Sequence, residues 1–469
     1  MFILTTWAKP DWPSDTGIMA EAGIVMDMDS GAILYGQNIH LTYPPASITK
    51  ILTALIVLEN CNLQDTVTFS TTAVNQVEAD SGNKISVVAG DQLSVEDCLY
   101  SMLLVSCNQA ANALAEHTAG SISAFVNMMN EKLAQLGCQE SHFENPSGLN
   151  GDNQYVSAYD MALIAQAAYD NETLVEISSA TTHKIAPTTQ NPDGFTIRGE
   201  HRLCVTEDPT SPYYYPEAVA GKTGYLIKAG NTLVTYAVKD NRRLISVILK
   251  GQPRQYFVDG KALLEFGFRS FQDYTVADYE SRYVTGNETI NLDKGSFQAS
   301  DLMIDPDSVI TLPNSASFED ADITLGALPE ISPDNAVALL TYSYNDRTIG
   351  TAYLLAKDGV TIDGNDSASE AATTAFDTAN AEAPLATASN AEKPQRPHKH
   401  ISVAGVLITI LIVLLVLGVI GLISWFIYSK KKEAKALAKR RERRRQRLQR
   451  SGDEEEFERL LAEYKNKKK

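Results

Sequence analysis

Residues 44–58 read PPASITKILTALIVL, and the fold is decided by how this stretch is understood. Its apolar positions suit a buried helix, entered from Pro44-Pro45-Ala46 because proline is tolerated where a helix begins. Ser47 is thereby placed at a helix N-terminus. Residues three apart on a helix share a face, so Ser47 Oγ and Lys50 Nζ come within hydrogen-bonding reach. A serine hydroxyl is a poor nucleophile until a base takes its proton, and a lysine can serve only if its pKa is lowered. Ala46, Ile51 and Leu52 predict burial of Lys50, where an unused charge would be costly. The plainer alternative is a surface lysine that extends its stem toward water.

Outward from this segment, Ala22–Met28 and Ala32–Gln37 read as two strands around the turn Asp29-Ser30-Gly31. Ser94-Val95-Glu96-Asp97 has the pattern of a capping box opening the helix CLYSMLLV. A helix over Gln109–His117 follows a break at Ser106-Cys107-Asn108. Further helices are predicted over Ser121–Leu136, closed by Gly137, and over Ser157–Tyr169. Strands Val219–Tyr225, Thr232–Lys239 and Leu244–Lys250 come next, the last two alternating in pattern and joined by Asp240-Asn241-Arg242, before a helix near Tyr256–Phe266. Strands at both ends of a helical middle imply one antiparallel sheet with helices packed on it, an α/β (α+β) fold.

Three short motifs fall on these elements: Ser47-Ile48-Thr49-Lys50 at a helix start, Ser106-Cys107-Asn108 between helices, and Lys222-Thr223-Gly224 on a strand. Each alone is weak; together and in this order they are strong. Lys222 supplies the positive charge that helps depress the Lys50 pKa. Ser106 can bridge the two lysines and relay a proton to a leaving amine, although the same turn could simply cap a helix. The Asn108 amide can both donate to and accept from a peptide bond. Lys222 and Thr223 can bind a terminal carboxylate, and Gly224 lets the strand approach closely.

With Pro45-Ala46 before Ser47, Asn145-Pro146-Ser147-Gly148-Leu149, and Tyr225 leading into Ala229-Gly230-Asn231, the chain resembles the D-alanyl-D-alanine carboxypeptidases among low-molecular-mass penicillin-binding proteins. The resemblance covers about residues 20–357. It implies a β-lactamase/penicillin-binding transpeptidase-like domain with a helical subdomain, Ser47 as acylated nucleophile and Lys50 as base. It also implies Ser106 and Asn108 as second motif, Lys222 and Thr223 as carboxylate-binding strand, and an oxyanion hole of the Ser47 and Tyr225 backbone N–H groups. Peptidoglycan stem peptides would be substrates and β-lactams inhibitors, with no metal or organic cofactor. Two positions depart from the pattern. Cys107 stands where glycine is common, and would narrow the cleft or expose it to oxidation. The arginine often found beyond the third-motif strand is assigned to Arg254, with Tyr256 where an arginine could have stood.

Two rival readings follow from the same residues. Class A β-lactamases share the motif trio and add a glutamate that activates water; Glu144 is the candidate, but Asn-Pro-Ser-Gly-Leu follows it. A non-catalytic envelope scaffold would keep the fold without needing Ser47, Lys50 and Lys222 intact. The seven histidines are scattered with no H-E-x-x-H, which argues against a metal hydrolase.

Composition sets the wider organisation. An N-terminal stub (1–19) precedes the catalytic domain (20–272) and a small β-rich domain (273–357), where Glu288–Leu292, Ser308–Leu312, Ala336–Tyr344 and Thr348–Leu355 are β-like and no helix is evident. Residues 358–400 lose almost all of the bulky apolar groups that build a core and read as a disordered linker. Residues 401–428 (ISVAGVLITILIVLLVLGVIGLISWFIY) carry no charge and are predicted to cross a membrane once. The tail 429–469 is basic, with 17 Lys/Arg against 8 Asp/Glu from residue 430, so it is predicted to be cytoplasmic and the catalytic domain extracytoplasmic, at a bacterial cell membrane. The chain's net charge of -18 less the tail's +9 leaves about -27 on the rest, and so acidic a domain argues against nucleic acid as its partner. Met1–Ala8 is too short for an export signal, which either lies upstream or survives here as a remnant. The five cysteines form no C-x-x-C pair and read as buried small hydrophobes.

Overall fold

The computed structural model describes residues 9–362 apart from Asp15, residues 78–80 and Glu330. Residues 1–8 of the stub, nearly all of the segment read as a linker, the run 401–428 predicted to cross a membrane and the tail 429–469 lie outside the described residues. Among the described residues no helix is long and apolar enough to cross a membrane.

Five strands form one antiparallel sheet: β1 (Ala22–Asp27), β2 (Ile33–Gln37), β3 (Ala218–Leu226), β4 (Gly230–Lys239) and β5 (Arg242–Gly251), in the order β2-β1-β5-β4-β3. The two ends of the segment meet where β1 pairs with β5, Ala22 opposite Leu249 and Asp27 opposite Leu244. The turn between β4 and β5 is two residues long, with Asp240 at φ 51° and Asn241 at φ 66°. Positive φ at both central positions matches the twist of the flanking strands, and Asp and Asn tolerate it best after glycine.

The strands are less amphipathic than the alternating pattern predicts, because both faces of the sheet are covered. Ile24, Met26, Val234, Tyr236, Ile245 and Val247 pack into the core on the helical side. Their neighbours Val25, Leu233, Ala237, Leu244 and Ile248 pack on the other side against Phe257, Leu263 and Leu264, which belong to a long C-terminal helix, Gln255–Ser270. Period two is kept, but each face meets an apolar layer.

The helical middle contains α1 (Lys50–Asn60), α2 (Val95–Leu104), α3 (Asn108–Ala119), α4 (Ile122–Gln135), α5 (Ala158–Tyr169) and α6 (Glu172–Ser179). α1 is central: Lys50 to Val57 are all buried, so it shows no polar stripe. Ser94, Ser121, Ser157 and Asn171 cap their helices by accepting from the backbone N–H three residues on. The capping box predicted at Ser94 is only half formed. Asp97 Oδ1 pairs with His183 Nε2 at 2.7 Å and its Oδ2 accepts from Ala186 N at 3.2 Å, holding the hairpin of Thr182–Ile185 and Phe195–Arg198 against α2. That hairpin and α6 lie in residues the sequence analysis leaves unassigned.

After the long helix the chain enters a four-stranded antiparallel sheet ordered Leu302–Ile304, Arg347–Ala356, Ala336–Tyr344 and Asp322–Gly326. It encloses a separate apolar cluster around Leu302, Ile310, Leu340, Tyr342 and Leu354. A single helical turn, Val276–Tyr279, interrupts the expected run without helix. The boundary anticipated at residue 272 falls inside a strand, Phe271–Thr275, which pairs with Val309–Pro313.

Ionic contacts tie the central sheet to the two-stranded ladder of Phe271–Thr275 and Val309–Pro313. Arg242 donates from Nε to Asp273 Oδ2 at 2.8 Å and from Nη2 to Asp27 Oδ2 at 3.0 Å. Ser30 Oγ and Thr311 Oγ1 meet at 2.7 Å, and Thr311 Oγ1 donates to Asp273 Oδ1. Asp27 is fully buried. Burial and Asp273 push its carboxyl up to about 7, while Arg242 pulls it back. Removing one partner of such a pair strands a charge in a dry site, so Arg242→Met is expected to cost about 3–5 kcal/mol in urea unfolding near pH 8. Adding Asp27→Asn should recover part of that loss; equal stability of Arg242→Met and the parent protein would show that the contact is dispensable.

Candidate active site

Ser47 lies in a 3-10 turn, Ala46–Thr49, that runs directly into α1 at Lys50. Ala46 has φ 52°, a left-handed conformation that a residue with a Cβ adopts at a cost. Two contacts hold it there. Thr49 Oγ1 donates to Ala46 O at 2.9 Å, and Gly148, itself at φ 81°, packs so closely that any Cβ would collide with the same oxygen. The Asn145–Leu149 loop is anchored in turn by Thr53 Oγ1 donating to Pro146 O at 2.7 Å.

Lys50 is 0% exposed, as predicted from its apolar neighbours. Its Nζ is 3.0 Å from Ser47 Oγ and 2.7 Å from Asn108 Oδ1, and it also bonds Ser147 O. Burial first, and the positive charge of Lys222 second, hold its pKa well below the usual lysine range. A neutral amine has two N–H groups and one lone pair. Asn108 Oδ1 and Ser147 O can only accept, so they take the two N–H groups, and the lone pair is left for the Ser47 hydroxyl. The arrangement thus aims a base at the serine proton.

Lys222 is 1% exposed and donates to its neighbour's carbonyl, Thr223 O, at 2.9 Å. Burial lowers its pKa to about 8, with Glu200 opposing the shift and Lys84 adding to it. Gly224 sits opposite Thr232 in the β3–β4 ladder, and a Cβ there would be 2.8 Å from Ser47 N. Glycine therefore lets the strand lie against the backbone of the nucleophile. Thr232 Oγ1 fastens β4 to the same segment by donating to Pro45 O at 2.9 Å. Thr223 is partly exposed and Tyr225 exposed on this strand.

Three sequence-based assignments, of Ser106, Cys107 and Arg254, need correction or refinement, and the rival candidate Glu144 is not brought to the serine. Ser106, at φ 62° and partly exposed, hydrogen-bonds neither lysine; Asn108 holds Lys50 instead. Cys107 neither narrows the cleft nor faces solvent. It is the N-cap of α3, with Sγ turned inward to accept from Ala110 N at 3.4 Å, and burial pushes its thiol up to about 11. Arg254 is not brought to the site by any hydrogen bond or ion pair; it stands exposed, at φ 64°, at the start of the Gln255–Ser270 helix. The turn Gln252-Pro253-Arg254 directs it to the surface. Glu144 uses Oε2 to accept from Asn153 N at 3.1 Å and makes no hydrogen bond to Ser47 or Lys50.

Sequence reasoning missed the Ser147 carbonyl as the third partner of Lys50. A main-chain acceptor has no residue signature, and the motif around it was the only available signal.

A model of the D-alanyl-D-alanine carboxypeptidase family, peptidase S11, matches residues 9–252, more than half of the chain. D-alanyl-D-alanine carboxypeptidase DacB2 of Mycobacterium tuberculosis is 34% identical over 265 residues, spanning 55% of this chain and 84% of its own. D-alanyl-D-alanine carboxypeptidase DacA of Haemophilus influenzae is 31% identical over 354 residues, spanning 72% of this chain and 84% of its own. A crystal structure of D-alanyl-D-alanine carboxypeptidase from Mycobacterium tuberculosis aligns with a TM-score of 0.48 at 31% identity, covering 56% of this chain and 94% of that one. The family match takes in all three motifs and the sheet that carries them, and on it the chain belongs to the D-alanyl-D-alanine carboxypeptidase family of serine hydrolases.

Proposed function

We propose that Ser47 is the nucleophile and Lys50 its base in removing the terminal D-alanine from peptidoglycan stem peptides. The observation that carries this reading is the buried Lys50 amine, held 3.0 Å from Ser47 Oγ with both of its N–H groups already committed elsewhere. The substrate's terminal carboxylate docks at Lys222 and Thr223. Ser47 Oγ attacks the carbonyl between the two D-alanines as its proton passes to Lys50 Nζ. The Ser47 and Tyr225 backbone N–H groups receive the developing oxyanion. Lys50 Nζ then returns that proton to the leaving amine, and D-alanine departs. Asn108, whose Oδ1 orients Lys50, has its Nδ2 left to donate to the substrate's peptide carbonyl. Water then hydrolyses the acyl ester on Ser47 with Lys50 again as base. A β-lactam carbonyl forms the same ester with no departing fragment. Glu144, tied to the Asn153 backbone, gives no support to a β-lactamase-type water activation.

Ser47→Ala is expected to abolish both D-alanine release and the single covalent penicillin adduct seen by mass spectrometry of the intact chain. An adduct that persists in that variant would place the nucleophile elsewhere. The rate of acylation should also carry an acid limb set by Lys50. Because the Lys222 charge lowers the Lys50 pKa, Lys222→Gln makes protonation of Lys50 easier and should move that limb to higher pH. A limb that stays in place would separate the two lysines electrostatically.

The wider organisation belongs to the same proposal: the catalytic and small β-rich domains outside a bacterial cell membrane, residues 358–400 as spacer, residues 401–428 as a single anchor and the tail 429–469 in the cytoplasm. Its support is the uncharged 28-residue run followed at once by Lys430-Lys431-Lys432. Protease added outside intact cells should remove the catalytic domain and spare an epitope placed after Lys469; the opposite pattern would reverse the orientation.

A further inference from the structure

Lys222 is a buried amine with no counter-ion in contact. Its Nζ donates to Thr223 O at 2.9 Å, and among the described residues no carboxylate lies within ion-pair distance of it. Whether such an amine keeps its proton is decided by charges further off. Two of them form an ion pair, in which Lys84 Nζ and Glu200 Oε1 meet at 3.1 Å.

The pair joins the chain segments that back the second and third motifs. Lys84 follows Gly82, whose carbonyl accepts from Gln109 Nε2 at 3.1 Å, next to Asn108 of the second motif. Ile85 and Val87 sink into the core and hold this segment down. On the other side, Glu200 N donates to Leu104 O, at the end of α2, at 3.1 Å. The next residue, His201, packs so tightly behind β3 that a Cβ on Gly221 would be 2.6 Å from its Nε2. The same nitrogen donates to Val234 O at 3.1 Å, and Val234 stands opposite Lys222 in the β3–β4 ladder. The charge of Lys84 accordingly acts on Cys107 in the second motif and on Lys222 in the third.

The groups that face Lys222 differ in charge. Burial keeps Lys50 well below the usual lysine range and takes the His201 imidazole down to about 4, with the Lys222 charge adding to both shifts, so both are neutral near neutral pH. The Glu200 carboxylate favours the ammonium form of Lys222, and the Lys84 ammonium opposes it. A glutamate free to rotate would pair with Lys222 directly and take the place of the substrate's carboxylate; bound to Lys84, it stays apart.

We propose that the Lys84–Glu200 ion pair is a positioning device for Lys222, clamping the segment behind the second motif to the one behind the third and holding a carboxylate near the buried amine without letting the two pair. The inference rests on the reading of the site given above, in which charged Lys222 receives the substrate's carboxylate.

The test follows D-alanine release by the full chain across pH, since kcat/KM for a peptide ending in D-alanyl-D-alanine should fall on an alkaline limb as Lys222 gives up its proton. Without the Glu200 charge that proton is lost more easily, so Glu200→Gln should move the limb to lower pH. Without the Lys84 charge it is held more firmly, so Lys84→Gln should move the limb to higher pH, while KM near neutral pH rises severalfold as the released carboxylate competes with substrate. Exchanging the two, Lys84→Glu with Glu200→Lys, restores the clamp with its charges reversed and should move the limb to lower pH. Both side chains are nearly half exposed, so urea unfolding should change little in any of these variants. The proposal is overturned if the two single variants move the limb in the same direction, if neither moves it, or if the exchange gives back the parent profile, as a purely mechanical strap would. The residual activity of Lys222→Gln should lack the alkaline limb; a limb that survives there would instead overturn the reading of the site, and the inference with it.

Discussion

The molecule is organised around a lysine amine kept out of water. An ammonium ion at the position of Lys50 would lose its hydration and find only two committed acceptors and a hydroxyl, so the neutral form is favoured. That single desolvation accounts for the burial of the whole first half of α1 and for the three separate chain segments that converge on Nζ. Ser47 comes from the turn before the helix, Asn108 from the start of α3, and Ser147 from the loop whose glycine fits under the Ala46 carbonyl.

The sheet serves the same end from the other side. β3 carries a second buried lysine whose charge opposes protonation of the first, and it can approach Ser47 only because residue 224 lacks a side chain. Thr232, on the neighbouring strand, ties the sheet to the turn that bears the nucleophile. Two non-glycine residues have positive φ here, Ala46 just before the first motif and Ser106 within the second. Strain of this kind persists only where surrounding contacts over-determine it, as the Thr49 hydroxyl and Gly148 do at Ala46.

Away from the cleft, Arg242 connects the catalytic sheet to the strand that begins the C-terminal β region. Its two carboxylate partners come from strands more than two hundred residues apart in sequence, so the contact registers the central sheet against the two-stranded ladder only after both have formed. The apolar cluster of the C-terminal sheet is distinct from those on either face of the catalytic one. A polar joint between two cores specifies orientation more than it adds stability, because each ion must first be desolvated.

Much of this was legible in the chain. Apolar periodicity located every strand of the central sheet and the main helices, caps such as Ser121 and Ser157 marked their starts, and the i to i+3 spacing of Ser47 and Lys50 placed base beside nucleophile. These are local properties: they depend on backbone geometry over a turn or two, which the residues themselves dictate. Other features depended on what the folded chain placed nearby. Asp97 abandoned its capping box for His183, the Cys107 thiol turned toward a helix end rather than the cleft, Ser106 remained apart from both lysines, and Arg254 faced solvent. Each outcome is a competition between a local partner and a distant one, or between water and a dry site. Sequence determines which groups compete, but burial and long-range packing determine which of them wins.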